Sequence, residues 1–351
     1  MNGGSYPIGC LGARSVAAFP FPIAMNTTRV LFFETFGTPA AVLRLREEPL
    51  PEMGPGLVRV RMAASPINPS DLNYIEGVYG LKPKLPSHAG LEGAGQVVEV
   101  GEGVKGLKEG DWVSAPRALG NWREAFVAPA SELRAFPSGL TREQAAVFRV
   151  NPLTAWALLH EIVPLKPGDW VVQNAATSTV GRQVIALARR CGFRTANLVR
   201  QAEDIPLLKA LGADLVAVTE GADPAAIRSE MGGGTALGLN AVGGESASLV
   251  AKLLAPDGVH VTYGAMSRQP VKASNAALIF SGLTFRGFWL TRWLEKLPES
   301  RLREAEEAVA GCFRQGIFNA EIAGKYLLND YVGALASVGK SRGKTLFHIP
   351  M

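Results

Sequence analysis

The chain has 351 residues, 47% hydrophobic and 19% charged, with 39 glycines and 23 prolines, which is long enough for two domains with separate cores. No run of eighteen apolar residues occurs, so no membrane span is expected, and three scattered cysteines, Cys10, Cys191 and Cys312, supply neither a disulfide framework nor a cysteine-built zinc site. The net charge of +5, from 36 basic and 31 acidic residues, is spread thinly; a nucleic-acid groove is not expected, while anionic ligands are compatible.

Residues 1–24 differ from the rest. They hold one basic residue, Arg14, no acidic residue and a Phe-Pro-Phe-Pro segment. A transit peptide would be acid-poor in this way but richer in arginine. These residues therefore read as an N-terminal extension upstream of a natural start at Met25. A cytoplasmic location follows from that reading; a mitochondrial one follows if residues 1–24 are a transit peptide.

From about Arg29 to Ala130 the pattern is that of short strands. Val58, Val60 and Met62 alternate with Arg59 and Arg61, the two-residue period of a half-buried strand. Glycines recur between apolar segments such as Gln96–Val100 and Asp111–Ser114, which predicts a barrel-like β domain. After about Thr141 the period changes. Gln144 to Leu159 reads as one helix with Pro152 a local disturbance. Strands follow at Trp170–Gln173, Thr195–Val199, Leu215–Val218, Ala236–Asn240, Val259–Tyr263 and Thr284–Gly287. Helices at Val180–Cys191, Pro206–Leu211, Pro224–Met231 and Ser246–Leu254 separate them. Six strands joined by helices predict an α/β fold with a doubly wound (Rossmann) parallel sheet. A charged helix, Glu299–Gln315, and an apolar strand, Thr345–Ile349, are expected to return to the first domain.

The first strand of the series runs into Asn174-Ala-Ala-Thr-Ser-Thr-Val-Gly181. Small residues there let a pyrophosphate approach the backbone, where the helix N-terminus can hold it. Only Gly181 survives of the usual glycine fingerprint, so the position in the fold carries more weight than the string. Nineteen residues later comes Arg200, where NAD-binding folds usually place an acid; an arginine suits a 2′-phosphate and hence NADPH. No metal site is expected. His88 lies near Glu92, but no cysteine or second histidine accompanies them.

These passages, with Gly90-Leu-Glu-Gly-Ala-Gly95, Val97-Val-Glu-Val-Gly101 and Lys166-Pro-Gly-Asp-Trp170, resemble the medium-chain dehydrogenase/reductase superfamily from Met25 onward. In zinc members a histidine stands at the place of Leu91. Within the superfamily the chain is similar to the mitochondrial-type 2-enoyl thioester reductases. That likeness rests on Ile67-Asn-Pro-Ser-Asp-Leu-Asn73 with Glu76-Gly-Val-Tyr-Gly80, on Gln173 to Gly181, on Thr262-Tyr-Gly-Ala-Met266 with Gln269-Pro-Val271, and on Arg286-Gly-Phe-Trp-Leu290. The resemblance implies a GroES-like β-barrel catalytic domain from residues 25–145 and 288–351, and a Rossmann cofactor domain over residues 146–287. It implies Tyr79 as the catalytic residue. Asn151, Thr177, Ser178, Thr179, Val180, Arg200, Tyr263, Gly264, Ala265, Met266, Phe288, Trp289, Leu290 and Lys344 fall on its cofactor positions. A second arginine common in that family is replaced by Ala202.

The implied reaction is NADPH-dependent reduction of the C2=C3 bond of an enoyl-CoA or an enoyl-acyl carrier protein. Charge develops on the thioester oxygen as hydride arrives, and a donor there lowers the barrier. A phenol keeps its proton at neutral pH and can donate without a metal. Asn68 and Asn73 read as turn-shaping residues around Pro69, and Trp293 as structural or interfacial. Lys344 is expected to reach a cofactor phosphate. Two other readings stand beside this one: a zinc-free quinone or enone reductase of the same frame, and an NADPH-binding protein without turnover. A homodimer through a sheet edge near Val259–Phe288 is implied by the family.

Overall fold

A computed structural model describes residues 26–350; the extension at residues 1–24 lies outside the described residues. The chain builds three sheets. In the N-terminal third, strand Leu57–Pro66 buries Val58, Val60 and Met62 completely while Arg59 and Arg61 face the other way, as the alternation predicts. It pairs antiparallel with Ala94–Val100 and with Ala125–Pro129. A smaller sheet, Arg44–Pro49, Thr27–Phe33 and Ser87–His88, lies against it through a bridge between Val30 and Arg123. The end of the chain joins the same assembly. Strand Lys344–His348 pairs antiparallel with Leu57–Pro66, placing Leu346 opposite Pro66 and Phe347 opposite Ser65. Phe347 packs edge-on against Trp122 in the core of this half.

The middle of the chain forms a six-stranded parallel sheet from Trp170–Gln173, Arg194–Val199, Leu215–Val218, Thr235–Asn240, Leu254–Thr262 and Thr284–Gly287. Numbered in chain order, these strands lie 3-2-1-4-5-6 across the sheet. The order reverses between the first and fourth strands, and the crevice beyond their carboxyl ends is where such sheets bind ligands. Helix Thr179–Cys191 follows the first strand. Val184, Leu187 and Ala188 bury its inner face, and Gly192, at φ +76°, takes the left-handed turn that ends it.

One expectation needs correction. The single helix over Gln144–Leu159 is two, Arg142–Ala146 and Asn151–His160. Pro152 does not disturb the second helix; it occupies its first turn, where a missing N–H costs nothing. The break falls between them, and its residues Arg149 and Val150 become part of the site described below. The second helix is buried from Asn151 to Leu159 and packs between helix Thr179–Cys191 and helix Glu299–Arg314.

Candidate active site

The turn after the first parallel strand is held by side chains of the strands themselves. Gln173 is fully buried and donates from Nε2 to the Gly181 carbonyl at 2.9 Å and to Asn197 Oδ1 at 2.8 Å. Ser178 caps the helix, its hydroxyl accepting from Gly181 N at 3.1 Å. A Cβ on Gly181 would lie 2.7 Å from the carbonyl oxygens of both Ala175 and Ala176. Only glycine lets the helix start this close to the turn.

At the reversal point stands a ladder of buried amides. Asn174 donates from Nδ2 to Asn240 Oδ1 at 2.8 Å and to Ser246 Oγ at 3.0 Å, and its Oδ1 accepts from Ala241 N at 2.7 Å. Asn240 Oδ1 also accepts from Val242 N and Gly243 N, while its Nδ2 donates to Thr262 Oγ1 at 3.0 Å. Every partner is neutral. The ladder fixes the fourth-strand loop and the strand end that leads into Tyr263-Gly-Ala-Met266. Burial pushes the Tyr263 phenol up, and among the described residues its hydroxyl has no partner.

On the barrel side, helix Pro69–Ile75 ends in a turn that presents Tyr79. The Asn73 carbonyl accepts from Val78 N at 3.0 Å and Tyr79 N at 3.1 Å. Gly77, at φ +74°, makes that turn, and a Cβ there would strike the Phe36 ring at 2.7 Å. The Tyr79 hydroxyl accepts from Trp289 Nε1 at 2.9 Å, with the two rings edge to face at 5.8 Å.

Between these walls opens a cavity of about 1080 Å³. It brings together Tyr79, Asn151, Val180, Tyr263, Gly264, Ala265, Met266, Phe288, Trp289 and Leu290. Thr177, Ser178 and Thr179 do not border it; they form the turn that leads to Val180. Arg200 stands exposed at the end of strand Arg194–Val199. Lys344 is not at an outer rim. Its Nζ donates to Asn68 Oδ1 behind the cavity wall, where burial pushes the ammonium down while Glu92 and Asp71 pull it back up.

Around Asn68 the structure collects charges that sequence reasoning left apart. Asn68 Nδ2 donates to Glu92 Oε2 at 2.7 Å, and Asn151 Nδ2 approaches Asn68 Oδ1 at 3.3 Å. Glu92 Oε1 accepts from Arg149 N at 2.9 Å and Val150 N at 2.7 Å. Asp71 accepts from Asn68 N and Leu91 N, and burial raises its carboxyl to about 7. Asn68 is therefore more than the turn-shaper it was expected to be. The sequence signal was present, since Asn68, Asp71 and Glu92 all stand in the quoted passages, but nothing local marks polar side chains as buried together.

His88 and Glu92 do not converge. His88 Nε2 lies 2.9 Å from Glu48 Oε1 and its Nδ1 lies 3.2 Å from the Ala118 carbonyl. Among the described residues no group of three or more His, Cys, Asp or Glu side chains is placed to hold a metal. Trp293 packs with Trp156 and Phe288 in the interior.

Comparison with known proteins extends these observations. Residues 54–138 match the family described as alcohol dehydrogenase GroES-like domain, and residues 179–309 that described as zinc-binding dehydrogenase. The mitochondrial enoyl-[acyl-carrier-protein] reductase of Bos taurus is 40% identical over 326 residues, 91% of this chain and 87% of that protein. Its Homo sapiens counterpart is 40% identical over 337 residues, 92% and 89% of the two chains. Among solved structures, the mitochondrial 2-enoyl thioester reductase Etr1p/Etr2p heterodimer of Candida tropicalis superposes with a TM-score of 0.85 at 30% identity, covering 92% of this chain and all of that one. An Etr1p complex with NADP and crotonyl-CoA gives the same TM-score, identity and coverage. A putative NADPH:quinone reductase of Bacillus thuringiensis follows at 0.83 and 27%, covering 92% and 99%.

Proposed function

The chain belongs to the mitochondrial enoyl-[acyl-carrier-protein] reductase family of the medium-chain dehydrogenase/reductase superfamily, and on that premise we propose how its cavity reduces the C2=C3 bond of a 2-enoyl thioester. NADPH, when bound, supplies the hydride that reaches C3. The residues present fit that cofactor: a helix of thirteen residues that starts at the turn after the first parallel strand, a glycine packed where no Cβ fits, and a Tyr263 hydroxyl beside the cavity that is buried and unpartnered among the described residues.

In this reading Thr177 to Val180 and the helix start hold the pyrophosphate, and Arg200 meets the 2′-phosphate. Asn151, Tyr263 to Met266 and Phe288 to Leu290 surround the nicotinamide half, and Lys344 supports Asn151 from behind the wall through Asn68. Tyr79 donates to the thioester oxygen as charge develops there. Its own oxygen already accepts from Trp289, so the phenolic proton is left for the substrate. That bond, made inside the cavity at the reversal point of the sheet, is the observation that carries the reading. A proton taken up at C2 from solvent completes the reaction, and Tyr79, holding the thioester oxygen, governs it.

The domain division at residues 25–145 and 288–351 against residues 146–287 goes with this assignment, one half for the acyl thioester and one for the cofactor. A homodimer is part of the proposal. Strand Thr284–Gly287 has one partner strand and leaves an open edge, beside which Ile279 and Phe280 are 70% and 84% exposed. Light scattering that gave a monomer at micromolar concentration would remove it. The enoyl-[acyl-carrier-protein] reductases of Bos taurus and Homo sapiens are named as mitochondrial and do not support the cytoplasmic expectation; a mitochondrial location is proposed, tested by the import of a reporter fused to residues 1–24.

The activity test follows NADPH absorbance with crotonyl-CoA, beside NADH and a quinone. Turnover that needs the thioester and prefers NADPH supports the reading. Turnover with the quinone alone would place the chain with the quinone reductases, and binding without turnover would leave a non-catalytic role.

A further inference from the structure

The buried cluster behind the cavity wall has a feature that packing alone does not require: its hydrogen bonds run in one direction. Glu92 receives donors on both oxygens, two backbone N–H groups on Oε1 and the Asn68 amide on Oε2. Among the described residues each hydrogen bond to it comes from a donor, so the group that fits is a carboxylate. Burial pushes that carboxyl up; the Val150 N–H, the Asn68 amide, the Lys344 ammonium and the Arg149 N–H pull it back down.

An acceptor-only carboxylate on one side dictates how Asn68 stands. Its NH2 must face Glu92, so its carbonyl faces the other way, toward Lys344 Nζ and Asn151 Nδ2. Lys344 has only donors to offer, which fixes the same orientation independently. With its NH2 committed to Asn68, Asn151 has its own carbonyl left over, and Asn151 borders the cavity. Among the described residues nothing donates to that oxygen. Asn68 and Glu92 are 1% and 2% exposed, so water cannot readily replace a mismatched bond.

We propose that Glu92 is a positioning residue which sets the polarity of the chain Glu92–Asn68–Lys344/Asn151, and thereby decides that the cavity wall presents the Asn151 amide carbonyl to the bound cofactor, with the Lys344 ammonium fixed behind it. Glu92 touches neither cofactor nor substrate and acts through Asn68. The same carboxylate clamps the Arg149–Val150 break, so it also holds the start of helix Asn151–His160 against the barrel half. The cofactor part rests on the functional reading above; the polarity itself does not.

The consequence is a polarity that can be inverted. In Glu92→Gln the side chain keeps its acceptor toward Arg149 N and Val150 N but turns an NH2 on the Asn68 NH2. Asn68 must then lose that bond or flip its own NH2 onto Lys344. In Asn68→Asp two carboxylates face each other in a dry site. Combined, the two changes restore every bond. The introduced glutamine donates to the introduced aspartate, whose second oxygen accepts from Lys344 and Asn151, and the total charge is conserved. Asp serves as well as Asn at the start of helix Pro69–Ile75.

The experiment measures the Kd for NADPH by fluorescence titration and the melting temperature without cofactor, for wild type, both single variants and the double variant. Each single change is expected to weaken binding roughly tenfold and the double to return within about threefold, a coupling of the size found for directly bonded pairs. Melting temperatures should follow the same cycle, the singles falling by roughly 5 °C and the double recovering most of it. Glu92→Gln that binds and melts as wild type overturns the proposal. So does a double variant no better than the worse single, and this arm decides even if a single variant does not fold. The melting cycle needs no cofactor: wild type that failed to bind NADPH would strike the functional reading while the melts still judged the polarity.

Discussion

Two buried polar networks flank the same cavity and differ in kind. On the parallel-sheet side Asn174, Asn240, Ser246 and Thr262 form a neutral ladder with backbone N–H groups. On the barrel side Asn68 meets two carboxylates and an ammonium, Asp71 at its backbone N–H and Glu92 and Lys344 at its side-chain amide. The neutral ladder places backbone: it shapes the loops after the fourth and fifth strands without responding to pH or to a neighbouring charge. The charged cluster places side chains, and its geometry depends on which groups are ionised. A site that must hold an anionic cofactor and also move protons has put its rigid part on one wall and its titratable part on the other.

The largest expected effect separates the two networks by pH. Asp71 has an ordinary value of 3.8 and is held at about 7 in the fold, chiefly by burial. A raised carboxyl means that between those values the folded state keeps a proton which the unfolded state has lost. Stability contributed by this group is therefore full below about 4 and is lost as pH rises toward 7, by on the order of 4 kcal/mol at most. Melting curves across that window should fall more steeply for wild type than for Asp71→Asn. Asn174→Ala, on the neutral side, should lower the curve without changing its slope. Equal slopes for wild type and Asp71→Asn would break the contrast.

Next in size is Tyr79→Phe, which leaves both networks in place and removes one donor from the cavity. Loss of a single aimed donor costs about 10²-fold in kcat, with the NADPH Kd unchanged. Trp289→Phe should show a smaller loss in the same direction, because the indole N–H orients the phenol while a phenylalanine keeps an aromatic ring on the cavity wall. A Tyr79→Phe enzyme with unaltered kcat would move the donor role elsewhere on the wall.

How far the sequence disclosed this arrangement differs between the same two regions. The six parallel strands were legible, and most bounds agree within a residue or two, because each is a short apolar run between helices of clear period. Strand Leu254–Thr262 was the exception; the expected Val259–Tyr263 missed its start, where Pro256 and Asp257 interrupt the apolar pattern. The turn at Asn174 to Gly181 could be placed by its position in the series. The charged cluster could not be seen. Glu92 and Asp71 are ordinary acids in sequence, twenty-one positions apart, and Lys344 joins them only because the last strand pairs with Leu57–Pro66. Lys344 was expected at a cofactor phosphate on the family resemblance, beside the plainer reading of a solvated lysine near a terminus. Asn151 and Pro152 were legible as residues but not as a helix start, for want of any signal that Arg149 N and Val150 N are held by a distant carboxylate.

The third prediction tests the parallel-sheet side with a charge. Arg200 stands exposed at the end of strand Arg194–Val199, where the proposed function puts the 2′-phosphate, and Ala202 follows two residues later. Asp204, one of two acids that follow, is engaged by Arg342 of the C-terminal segment at 2.9 Å. Arg200→Ala should raise the KM for NADPH roughly tenfold, the worth of one charge-assisted contact, and leave that for NADH unchanged. Equal losses for both cofactors would mean that Arg200 serves the fold rather than the phosphate.

The smallest expected effect concerns the ion pair that crosses the mouth of the cavity between the two walls. Arg268, in the loop after Tyr263 to Met266, reaches Glu76 at 2.8 Å, and Glu76 stands three residues before Tyr79. The position would suit a latch, but the arginine side chain is 73% exposed, and an exposed pair is worth less than about 1 kcal/mol. Its two ends are also held without it, Tyr79 by the Asn73 carbonyl and Tyr263 by the Asn240 carbonyl. Arg268→Ala should therefore change KM for the thioester by about threefold or less and leave kcat unaffected, an effect that fades as salt is raised. A large kcat loss in this variant would show that the walls are held apart by the surface pair, and that the buried networks alone do not set the width of the site.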